Sequence, residues 1–106
     1  MKLQKAVEMY STANFISKIG EVMARSYYDV MLKILGEYDY DMFVFEPEGE
    51  DIRVRAAGYS FSADELEENL IVSRFTPLLP ITDTVWFKID DYGDRFLGTF
   101  LMPEDY

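Results

Sequence analysis

The chain predicts an α+β fold, with a long N-terminal amphipathic helix packed on an antiparallel sheet of two hairpins and a short helix between them, in the order α-β-β-α-β-β. Three observations carry this expectation: apolar residues recur at spacings of three and four over residues 15–35, the period falls to two after Gly36, and turn signals interrupt the alternating stretches. A length of 106 residues suits one domain, 1–106, with one core. With 49% of the residues hydrophobic, the chain can offset the entropy of ordering itself, so disorder is not expected.

At the start, Leu3, Ala6, Val7 and Tyr10 keep helical spacing and predict a short first helix. Ser11, Thr12 and Asn14 offer caps that restart the chain as the main helix. Its apolar stripe comprises Phe15, Ile16, Ile19, Val22, Met23, Tyr27, Val30, Met31, Ile34 and Leu35, about six turns long. Gly36 stands where a left-handed helix terminator belongs, and Lys33 lies in the last turn, where a cation suits the dipole.

Residues 41–46 and 51–59 then read as strands joined by Pro47-Glu48-Gly49-Glu50. Ile52, Val54 and Ala56 fall on one face of the second strand, with Arg53, Arg55, Ala57 and Tyr59 on the other. Ser62-Ala63-Asp64-Glu65 matches a capping box and predicts a helix start, while residues 71–75 suit a strand as well as a helix. Residues 84–89 and 95–101 form the second expected hairpin, around residues 90–94, and the tail from Pro103 is expected to fray. Both hairpins are apolar on two faces: Met42 and Val44 alternate with Phe43 and Phe45, and Trp86 with Val85 and Phe87. The long helix covers one face, and Leu78, Leu79 and Ile81 are expected to cover the other.

The chain has neither Cys nor His. That removes disulfides, thiolate and imidazole metal ligands, the Ser-His-Asp triad and the Cys nucleophile. No P-loop, GxGxxG or GxSxG motif is present, and no carboxylate pair stands beside a pocket that the sequence identifies, so no enzyme and no cofactor are expected. Residues 1–6 lack the apolar stretch of a signal peptide, and no run is long enough to span a bilayer, which makes the cytoplasm the expected location.

Charge is the strongest functional signal. Up to Gly36 five bases face three acids; from Glu37 onward five bases face seventeen. A field of this sign repels nucleic acid and anionic membranes and attracts basic surfaces. Glu46, Glu48, Glu50 and Asp51 gather at the first hairpin turn, and Asp90, Asp91 and Asp94 at the second. Turn chemistry alone favours these residue types, but solubility does not require the excess to fall on one part of the chain. The second turn lacks the alternating oxygen ligands and distal Glu of a calcium loop, so no metal is assigned.

In size, acidity and lack of His and Cys, the chain resembles inhibitors encoded by phages and mobile elements, among them nucleic-acid mimics and anti-CRISPR proteins, and the immunity proteins of nuclease toxins. The charge distribution and the aromatics lead to the same expectation, stoichiometric occupation of a basic site on a protein partner, with Glu46, Glu48, Glu50, Asp51, Asp90, Asp91 and Asp94 as the charged surface and Trp86 and Tyr92 as anchors. The alternative is a structural or adaptor protein that self-associates, as a homodimer through the long helix or the second sheet face.

Overall fold

A computed structural model describes residues 6–106. Among them, six strands and two α-helices form an α+β fold: β1 (Val7–Ser11), α1 (Ala13–Ile19), α2 (Glu21–Leu35), β2 (Met42–Glu48), β3 (Asp51–Ala56), β4 (Leu70–Phe75), β5 (Val85–Asp91) and β6 (Phe96–Leu101), followed by a 3-10 turn at Pro103–Asp105. The strands make one mixed sheet in the order β1-β6-β5-β2-β3-β4, with β1 parallel to β6 and the other pairs antiparallel. The chain therefore opens on a strand rather than on a helix.

The expected first helix is corrected over its described part, since Val7–Ser11 is β1; Leu3 lies outside the described residues. Val7, Met9 and Ser11 alternate with more exposed Glu8 and Tyr10, and pairing with β6 satisfies the backbone. Thr12 caps the next helix as expected, its Oγ1 accepting from Phe15 N at 3.1 Å.

The single long helix is corrected to two. Gly20 has φ +86° and ψ 151°, a conformation that glycine alone adopts easily, and it ends α1 and begins α2. The break swings Phe15 and Ile19 of α1, and Met23, Ala24, Tyr27, Met31 and Ile34 of α2, onto one sheet face. Val22, expected on the stripe, is 75% exposed. Gly36 has φ −71° and ψ −16°, so the expected left-handed terminator is absent and the helix ends in right-handed geometry.

Both hairpins form. Phe43, Phe45, Ile52, Val54, Val85, Phe87, Ile89, Phe96 and Phe100 meet the helices, with Phe100 stacked on Phe15 and touching Tyr27, Phe45 and Phe87. No helix begins at Ser62; residues 61–63 form a turn, and Leu70–Phe75 is the edge strand β4. Leu78 and Leu79 cover nothing, at 78% and 64% exposed, and Ile81 packs on the helix side with the core. The second sheet face carries Val44, Trp86 and Leu101 in one cross-strand row, over which the Tyr106 ring meets the Trp86 indole at 5.7 Å.

The tail is tied down instead of frayed. Asp105 accepts from Thr12 Oγ1, from Asn14 and from Met102 N, and Glu104 pairs with Lys18. No helix among the described residues is long and apolar enough to cross a membrane.

Candidate functional site

The sheet register separates the two acidic turns. Met42 faces Lys88 and Phe45 faces Val85, so the β2–β3 turn lies past one end of β5 and the β5–β6 turn past the other. Counting along these paired strands from Gly49 to Tyr92, at about 3.3 Å per residue, gives roughly 35 Å. The longest axis of the molecule is 35 Å. Glu46, Glu48, Glu50 and Asp51 thus stand at one end, and Asp90, Asp91, Tyr92 and Asp94 at the other.

At the β2–β3 end Glu46 and Glu48 are answered by arginines. Glu46 faces Arg53 and Arg53 faces Arg74 across neighbouring strands. Glu46 Oε1 takes Arg55 Nε at 2.6 Å and lies 3.6 Å from Arg53 Nη2; Glu48 takes Arg53 Nη1 at 2.8 Å and also pairs with Arg74. Asp51 accepts from Thr76 Oγ1 at 2.6 Å. Glu50 is exposed at the turn, with no ion pair among the described residues.

The other end collects carboxylates that the sequence scatters. The segment from residue 57 to residue 69 folds back against the entry to β2, with bridges between Tyr40 and Ser60 and between Tyr59 and Leu66. Asp39 organises it from within. It is 5% exposed, and its two oxygens accept from Ser60 Oγ at 2.9 Å and from Ser62 N at 3.0 Å. Burial pushes its carboxyl up, the hydrogen bonds from Ser62 and Ser60 pull it down, and the net direction is down. Ser60 Oγ also accepts from Ala63 N, so the donors expected to start a helix at Ser62 are satisfied in a turn.

Asp41 Oδ1 accepts from Tyr59 N at 2.9 Å, and a Cβ on Gly58 would stand 1.8 Å from that oxygen. Only glycine allows this approach. Phe61 packs on Phe96, which begins β6, with ring centroids 4.7 Å apart, so the segment sits beside the β5–β6 turn. Burial, then Glu67, Glu65 and Asp39, raise the Tyr40 phenol above its ordinary value, the signature of a local negative field.

Asp41, Asp64, Glu65, Glu67 and Asp94 have no ion pair among the described residues, while Asp90 lies 3.9 Å from Lys88. Asp91 Oδ1 accepts from Gly93 N at 2.9 Å and shapes the turn. Tyr59, Phe61, Leu66 and Tyr92 are exposed among these carboxylates. Trp86 is part-buried under Tyr106 and a strand's length from Tyr92, so the two expected anchors do not share a surface. The sequence reading does not single out Tyr59, Phe61 and Leu66, whose exposure depends on the turn that replaces the expected helix at Ser62. No protein-family model matches the chain, and no curated protein or solved structure matches it either.

Proposed function

We propose that the protein is a non-enzymatic acidic binding module that occupies a basic site on another protein through the end built by residues 39–41, 57–67 and 90–94. One observation supports this most: Glu46 and Glu48 at the β2–β3 end are matched by Arg53, Arg55 and Arg74, whereas Asp41, Asp64, Glu65, Glu67 and Asp94 lack ion pairs among the described residues. Arg95 stands in the β5–β6 turn, but its guanidinium lies 3.8 Å from Glu8 on β1 and makes no ion pair with these five carboxylates.

Long-range attraction brings a basic partner to this end, and desolvation of Phe61, Tyr59 and Tyr92 then holds it, with charge acting mainly on association rate and specificity. A stoichiometric inhibitor of the phage or mobile-element kind, acting on a nucleic-acid-binding protein, fits this chemistry. The test is affinity capture from the native host, eluted by a salt gradient and read by mass spectrometry. A basic partner released as salt rises is expected. Recovery of only the chain itself, held or strengthened by salt, would favour self-association through apolar surface.

A further inference from the structure

The buried side of α2 carries Met23, Ala24, Tyr27, Met31 and Ile34, and its opposite side faces solvent. Val22 and Leu32 stand on that outer side, 75% and 60% exposed. Beside them Glu21, Arg25, Asp29 and Lys33 follow one another at intervals of four residues, all exposed and alternating in sign. Each is spaced to pair with the next along the helix, yet none has an ion pair among the described residues. Val22, Arg25, Asp29 and Leu32 recur at spacings of three, four and three, the pattern of a seam between two helices.

This face is its own complement. When a second copy of α2 lies antiparallel across a two-fold axis at the level of Tyr27, Val22 meets Leu32 of the other copy, Arg25 meets Asp29, and Glu21 meets Lys33. A slip of one turn in either direction sets Glu21 against Asp29 or Arg25 against Lys33, and a parallel pair sets every charge against itself. The charges therefore select one direction and one register. A hollow of about 310 Å³, lined by Glu21, Val22 and Arg25, lies where Leu32 of the other copy arrives. The helices also belong to the part of the chain where two copies repel least, since bases outnumber acids up to Gly36.

We propose that two copies of the chain pair through this face as an antiparallel α2–α2 dimer. Helices of 15 residues can touch over about 22 Å. So short a contact falls below the roughly 1,200–2,000 Å² of stable interfaces, which places association in the micromolar range.

The test is sedimentation equilibrium of the full chain over a range of concentrations, beside a thermal melt of each variant. A monomer-dimer equilibrium is expected. Arg25→Asp and Asp29→Arg each set like charges at both central contacts and should weaken the dimer roughly tenfold or more. Mixed in equal amounts, the two variants restore opposite charges at both contacts and should form a heterodimer of near wild-type strength. Leu32→Ala should weaken the dimer, while Leu78→Ala, exposed but outside the seam, should leave it intact. A chain that stays monomeric at about millimolar concentration, a dimer indifferent to both reversals, or a mixture that associates no better than its components would overturn the proposal. The seam shares no residue with the acidic end, so a reversal there changes assembly and not the affinity of one chain for its partner, and failure of the dimer leaves the proposed function untouched.

Discussion

Tyr27 sits at the centre of the aromatic core, fully buried against Phe15, Phe45, Phe75 and Phe100, and its hydroxyl has no hydrogen-bond partner. Burial first, and then Asp83, raise its phenol far above the ordinary value. An unpartnered buried hydroxyl costs about 1–3 kcal/mol, so Tyr27→Phe, which keeps the ring, should stabilise the protein. A rise of several degrees in melting temperature is expected; a fall would show that the hydroxyl finds a partner in solution.

Lys18, Glu104 and Asp105 make a second residue-scale device. The hydrogen bond from Lys18 lowers Glu104, the Met102 N–H lowers Asp105, and Glu104 in turn raises Lys18. A lowered carboxylate adds stability that is complete above its unfolded value and lost as pH falls through the folded one; a raised lysine adds stability lost as pH rises through its folded value. Tail docking should therefore hold at neutral pH and fail as pH drops below the ordinary glutamate value of 4.5. Trp86, the single tryptophan, touches Tyr106 and reports it. Its fluorescence should change in acid before the far-ultraviolet circular dichroism does, and coincident transitions would contradict a separable tail.

At the scale of elements, the helix break is the most consequential local feature. A Cβ on Gly20 meets nothing within 4 Å, so the cost of Gly20→Ala comes from its positive φ alone. That cost should be about 1–3 kcal/mol, read in a denaturant melt. A neutral result would mean that α1 and α2 can join as one helix.

The sequence was read as one helix here because the apolar spacing runs through Gly20 without interruption, and periodicity records faces rather than breaks. The two hairpins were legible because alternation and turn chemistry are local properties of residues 42–56 and 85–101. β1 was not, because its pairing is with a distant strand: Val7–Ser11 gains its partner only from β6, and helical spacing competes with its alternation. Residues 71–75 were legible as strand or helix, and pairing with β3 decides for the strand. At Ser62 the capping signal was real chemistry with another outcome, since Asp39 and Ser60 take the Ser62 N–H that the capping box would have given to Glu65.

Across the whole molecule, the sheet turns a scattered acidic sequence into two unlike ends. The acid excess after Glu37 was visible in composition, but its polarity was not, because register and the edge strand bring Arg53, Arg55 and Arg74 to Glu46 and Glu48. The most direct test of the acidic end compares two double reversals with the same change in net charge: Glu65→Lys with Asp94→Lys at that end, and Glu50→Lys with Glu21→Lys away from it. All four side chains are exposed, so each should change stability by only about 0.5 kcal/mol, checked by thermal melts. Association rate and affinity for the captured partner, at two salt concentrations, are then measured. The first pair should slow association, cost several kcal/mol of affinity where like charges meet, and flatten the salt dependence, while the second binds nearly as wild type does. Equal effects from both pairs, or none from the first, would contradict the acidic end as the binding surface.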